Sequence, residues 1–113
     1  MQILDQTRGS VVARKVRVAN RFFERLRGLI GRPRLQPGEA FWLPFCQGVH
    51  TFGMKYPIDV VFLNKENRVV KLVQALQPNS FSPVVFQSAS VLELPEGTLW
   101  KSKTQTGNVF QTV

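Results

Sequence analysis

Four side chains in this sequence carry the types that chemistry needs: Cys46, His50, Asp59 and Glu93. Three of them fall in "PFCQGVHTFGMKYPIDVVFLN", residues 44 to 64, which holds the only cysteine and the only histidine of the chain. A Cys–His nucleophilic pair must approach within about 3 Å and needs an orienting group and an oxyanion pocket. Cys46 and His50 stand four apart. Gly48, Val49, Thr51 and Gly53 oppose a helix here, and in an extended strand four residues span about 13 Å. A bend at Gly48 would close the gap, Asp59 would orient the imidazole, and turn N–H groups near Gly48 or Gly53 would receive an oxyanion. The plainer reading makes the thiol a small apolar side chain and the histidine a turn-fixing group. Spacing alone does not show proximity, so no catalytic residue is assigned. A hydrolase built on Cys46, His50 and Asp59 is carried as the alternative. Tetrahedral zinc needs four ligands, usually Cys or His. One of each, completed by Asp59 and Glu93, is a poor set, so neither a metal nor another cofactor is expected.

Asp59 in "PIDVVFL" and Glu93 in "SVLELP" sit in strand-like apolar surroundings, where a lone charge is costly to bury. Each should be hydrogen-bonded, ion-paired or facing a cleft. Arg27, His50 and the free N–H groups of "TFGMKYP" are the natural partners. Two carboxylates lining a pocket would suit acid/base work on sugars. Carboxylates satisfying backbone donors at strand ends are commoner, and that reading is favoured. Removal of the Asp59 carboxylate should then cost about 1–3 kcal/mol.

The elements that must position these groups read as mainly β. "VVARKVRVA", 11 to 19, alternates, with Val12, Val16 and Val18 on one side and Lys15 and Arg17 on the other, as in a half-buried strand. In "NRFFERLRGLIGRP", 20 to 33, Phe22, Leu26, Leu29 and Ile30 line one face of a short helix. Asn20 suits its start, and Gly31 and Pro33 its end. "AFWLPF" is a compact apolar strand. "IDVVFLN" and "RVVKLVQ" flank "KEN" as a hairpin whose first arm is apolar on both faces. "VVF", "SVLEL" and "TLW" read as further short strands, and the tail from 102 is polar apart from Val109 and Phe110. Many short strands and one short helix predict a compact antiparallel β sandwich or barrel. With 113 residues, one domain over 1–113 with one core is expected.

The composition, 43% hydrophobic and 19% charged, excludes a disordered chain. No apolar run reaches the roughly 18 residues of a membrane span, and the N-terminus lacks a secretory stretch, so a cytoplasmic location is expected. The net charge is +8, and residues 1 to 34 hold nine Arg/Lys against two acids. Such a basic third attracts nucleic acid, an anionic membrane surface or an acidic partner. "RFFERLRG" interleaves aromatic and basic residues as single-strand nucleic-acid binders do. No phosphate-cradling or zinc-finger motif accompanies it, so nucleic acid is not the favoured partner.

"RLRGLIGRPRL", "CQGVHTFGMKYPIDVVFLNKENRVV", Pro78 and "VLELPEG", in that order, resemble the DUF192 family, small bacterial and archaeal proteins of unknown function. The likeness runs from about residue 21 to 110, with "HTFGM…PIDVVF" its most specific block. It implies a compact, mainly antiparallel β domain with a short helix. The recurring motif residues fall here on Arg27, Gly28, Leu29, Cys46, His50, Met54, Pro57, Asp59, Glu93 and Gly97, and no catalytic role comes with them. A Gly-Asp pair common near the family's C-terminus is Gly107–Asn108 here. Many relatives resemble exported proteins.

These readings converge on a monomeric, non-catalytic binding module. Its ligand would be a small polar molecule or a protein partner, held between the 46–59 segment and the strand bearing Glu93. Arg27, His50, Met54, Asp59 and Glu93 are the ligand-binding candidates, with Trp42, Phe52 and Tyr56 as aromatic walls.

Overall fold

The computed structural model describes residues 1–19, 29 and 33–113. The helix expected over 20–33 lies outside the described residues, as do Arg27 and Gly28. The described elements in chain order are β1 (Ile3–Asp5), β2 (Ser10–Ala13), β3 (Lys15–Val18), β4 (Glu39–Pro44), β5 (Ile58–Leu63), β6 (Val69–Leu76), β7 (Ser90–Pro95), the short helix α1 (Thr98–Ser102) and β8 (Phe110–Thr112).

Large apolar side chains at both parities of IDVVFL require cover on both faces. All of β5 is buried accordingly. It lies in a five-stranded sheet of order β3-β4-β7-β5-β6, antiparallel except for the parallel β3–β4 edge pair. One face, through Ala40, Val61, Leu63, Leu92 and Leu94, packs on Ile3, Val12, Ala13 and Phe110 and on Leu99 of α1. Those first four belong to a second, three-stranded sheet of order β2-β1-β8. The other face, through Phe41, Leu43, Ile58, Val60, Phe62 and Val91, is covered among the described residues by Ala19, Leu29, Met54, Tyr56 and Val85. The fold is thus mainly β, with two sheets, as the patterning predicts.

Three expectations need correction. The alternating run 11–19 is two strands, because the N–H groups of Arg14 and Lys15 both turn to the Gly38 carbonyl, at 2.8 and 3.0 Å. The break sends β2 to one sheet and β3 to the other. "TLW" is helical: Gly97 precedes it with φ 91°, a left-handed geometry that glycine adopts without steric cost, and reverses the chain after β7. "VVF" is not a strand. Val85 gives its N–H to Gln47 in a loop pairing, while Val84 and Phe86 face outward. The polar tail supplies β8, which pairs with β1. Asn108 just before it is buried and donates to Asp5 Oδ2 at 2.7 Å.

Candidate functional site

Asp59 lies near the N-terminal end of β5, where two irregular features leave backbone donors outside any ladder. On β6, Ala75 has φ 53° beside an interruption of the β5–β6 register. Beyond β7, the start of α1 has no side-chain cap of its own. Asp59 serves both. Its Oδ1 accepts from Ala75 N at 2.9 Å, and its Oδ2 from Gly97 N at 3.1 Å and Leu99 N at 3.0 Å. A carboxylate at a helix start satisfies orphan N–H groups and suits the positive end of the peptide dipoles. With 1% exposure, Asp59 offers no surface to a ligand in this arrangement.

The "HTFGM" turn is held by its threonine. Buried Thr51 gives Oγ1–H to Gln77 O at 2.6 Å and accepts from Ser80 N at 2.9 Å, while its N–H reaches Ser80 O at 2.8 Å. Gly53 N donates to Asn79 Oδ1 at 3.0 Å. His50, next to Thr51, is exposed, and its Nδ1 accepts from Phe52 N at 3.3 Å. The Cys46 thiol donates to Gly48 O at 3.1 Å, within its own turn, and its side chain packs against the core. Cys46 and His50 therefore hold turns, and Asp59 bonds backbone N–H groups elsewhere. Among the described residues these three groups form no Cys–His–Asp relay.

Glu93 faces the other way. It pairs in register with Phe41 on β4 and Val60 on β5, both on the face covered by Met54 and Tyr56. Asp59 pairs with Leu94, whose side chain belongs to the opposite core. The two carboxylates are thus separated by the sheet rather than joined in one cleft. Trp42 likewise packs on the Asp59 side, and Phe52 stands in solvent, so these aromatic walls do not meet. Glu93 is 2% exposed, and its Oε1 has no hydrogen-bond partner among the described residues. Burial pushes its pKa up to about 8. Burial and the neighbouring Glu93 also raise the Tyr56 phenol, against the opposing pull of Arg34. The Arg34 guanidinium lies 5.3 Å from the centre of the Tyr56 ring.

Beside Phe41 the surface opens. A hollow of about 470 Å³ is floored by Leu29, Leu35 and Phe41 and ringed by Arg14, Lys15, Arg17 and Arg34. Among its described lining residues the one acid is Glu39, which accepts from Gln36 N at 2.6 Å. Phe41 joins hollow to carboxylate, since Arg17, Phe41 and Glu93 follow one another in register across β3, β4 and β7. An adjoining hollow of about 400 Å³ brings in Met54, Lys55 and Tyr56 and shares Leu29, Pro33 and Arg34 with the first. Of the five ligand-binding candidates, Met54 lines this second hollow, Glu93 lies behind the floor of the first, and Arg27 is outside the described residues. Sequence reasoning passed over the basic ring. Its signal was the outward parity of Lys15 and Arg17, which a solvated face explains equally well.

A two-sheet β protein with a basic, apolar-floored hollow and no assembled catalytic relay among its described residues is a class defined by shape rather than chemistry. Within it the assignment is direct: the DUF192 family model, described as an uncharacterized ACR, matches residues 3–112, and the chain belongs to that family. A UPF0127 protein of Thermococcus sibiricus is 32% identical over 101 residues, covering 86% of this chain. The chain spans only 65% of that relative's length. A second UPF0127 protein, from Thermococcus kodakarensis, is 27% identical over 112 residues, 96% of this chain and 71% of the relative. A crystal structure of a protein of unknown function from Novosphingobium aromaticivorans superposes with TM-score 0.82 at 17% identity, covering 98% of this chain and 82% of that one. A transcription-regulator candidate from Sinorhizobium meliloti 1021 gives 0.79 at 20% identity, covering 97% and 89%. At these identities the structural likeness speaks for the fold alone.

Proposed function

We propose that this chain is a non-catalytic binding protein and that its ligand is a small organic anion with an apolar body. The carrying observation is the hollow beside β3, where four cations ring a floor of Leu29, Leu35 and Phe41. Small-molecule sites combine apolar walls with a few convergent polar groups. Here the polar groups are guanidinium and ammonium, which pair with carboxylate or phosphate. A neutral sugar would bring no charge to Arg14, Lys15 or Arg34 and would meet an apolar floor. The hydrolase alternative lacks support in the geometry, because the Cys46 thiol and the His50 Nδ1 are each engaged in their own turns.

Octyl phosphate, which joins an anionic head to an apolar chain, is the probe. Calorimetric titration at pH 7 should give saturable binding, and Arg34→Ala and Arg14→Ala should each weaken it about tenfold, the value of one charge-assisted contact. Absence of heat, and of any melting shift at millimolar octyl phosphate, would sink the proposal.

A further inference from the structure

Residues 40–54 and 77–92 contain no Asp, Glu, Lys or Arg. In the fold these two charge-poor stretches run side by side. Phe45 N bonds Ala89 O, Val85 N bonds Gln47 O, Ser82 N bonds Val49 O, and His50 bridges to Phe81. The inner side chains of this ribbon, Cys46, Val49 and Val85, pack on the sheet. Its outer side carries Phe45 at 88% exposure, Phe86 at 79% and Phe81 at 72%, with Val84 and Phe52 also exposed. Isolated exposed apolar residues are ordinary, but a contiguous row of them marks an interaction surface. We propose that this ribbon docks on an anionic lipid bilayer, with the phenylalanine tips entering the headgroup region.

Charge chooses the occupant. Net positive charge stands at both ends of the row: Lys55 and Arg34 line the hollow beside Met54, and exposed Lys65 and Arg68 outnumber exposed Glu66 in the hairpin that follows β5. The Ala89 N–H bonds the last carbonyl of β5, which places that hairpin at the Phe45 end. An uncharged apolar centre flanked by cations, on a protein of net charge +8, matches a surface that is apolar within and anionic at its rim. The aromatic tips are also pre-ordered. Phe52 meets Phe81 edge-on with centroids 4.7 Å apart, and the His50 ring lies 5.6 Å from Phe52. Phe45 holds a left-handed backbone, φ 56°, that a bulky residue pays for in steric strain. A strained phenylalanine pointing into water contributes nothing to the core. Its placement makes sense as an anchor.

Flotation with vesicles of phosphatidylcholine containing about 30% phosphatidylglycerol tests this at about 0.1 M salt. The full chain should float with these vesicles, and raising salt to about 0.5 M should reduce the bound fraction severalfold. The Phe45→Ser/Phe86→Ser double variant should keep the parent melting profile and lose at least about tenfold in partitioning. Any of three results overturns the proposal: a parent protein that stays below the vesicles, a double variant that floats as well as the parent, or a parent that ignores vesicles while sedimenting as a dimer that the double variant abolishes.

Discussion

Asp59 and Glu93 occupy neighbouring strands, one residue apart in register, and are equally buried, yet they live in opposite chemical conditions. Asp59 pairs with Leu94 and Glu93 with Val60, so the sheet turns one carboxylate to each face. Asp59 accepts three backbone hydrogen bonds, whereas Glu93 Oε1 has none among the described residues. The cause is position along the sheet. Glu93 lies mid-strand on β7, between β4 and β5, where the ladders on both sides engage the backbone N–H groups. Asp59 lies beside the irregularity of β6 and the start of α1, where N–H groups project free of any ladder. Burial alone does not set the cost of a carboxylate; the supply of loose donors around it does.

The sharpest way to break the contrast is to remove the satisfied member. Asp59→Ala leaves the buried Leu99 N–H and the half-buried Ala75 and Gly97 N–H groups without their acceptor, at about 1–1.5 kcal/mol each, so a loss of about 3–4 kcal/mol is expected. That is a large part of a typical domain's stability. Urea unfolding should show the midpoint falling with an unchanged slope. Asp59→Asn, which keeps one acceptor oxygen, should fall between. An unchanged midpoint for Asp59→Ala would mean that the three bonds carry no net stability.

Glu93 should respond in the reverse direction. Its folded pKa of about 8 stands above the ordinary carboxylate value of 4.5. Between those values the folded chain keeps a proton that the unfolded chain has released, so stability falls as pH rises through that window. The contribution is greatest below about pH 4.5 and is lost by about pH 8, a change on the order of 2–4 kcal/mol. Glu93→Gln removes the titrating group and should flatten that slope, making the variant more stable than the parent at pH 8. Melting profiles at pH 5 and pH 8 decide it. Equal pH dependence in parent and variant would show that Glu93 is already ionised in the folded state across that window.

These two residues also mark how far the sequence could be read. The apolar run of β5 and its hairpin with β6 were legible because both parities of IDVVFL are apolar and KEN is a short polar connector. That Asp59 serves backbone donors was the favoured reading, but the donors themselves were not visible. They come from a left-handed Ala75 and from a helix at "TLW", where local residues favour a strand. The opposite facing of Asp59 and Glu93 was hidden for a different reason: facing depends on the register between strands distant in the chain, and composition does not fix register. The basic hollow was missed because cations on an edge strand look alike whether they meet water or a ligand. Asn108 illustrates the same gap. In the sequence it reads as a lost acid, but in the fold its amide donates to buried Asp5, where a second carboxylate would face the first.

The smallest effect should come from the pair that first suggested chemistry. Cys46 and His50 stand between the two conditions represented by Asp59 and Glu93: each side chain has a hydrogen-bond partner within its own turn. The thiol donates to Gly48 O, and the imidazole accepts one N–H from Phe52 in an exposed setting. Cys46→Ala removes a neutral contact and a small packed sulfur, which should cost about 1 kcal/mol or less. His50→Ala returns the Phe52 N–H to water, with an expected effect within about 0.5 kcal/mol. Both variants should leave octyl phosphate binding unchanged, since neither residue lines the basic hollow. A variant that folds normally yet loses several-fold in affinity would move the site from the β3 edge to the 46–50 turn, and would make that turn, rather than the ring of cations, the feature to explain.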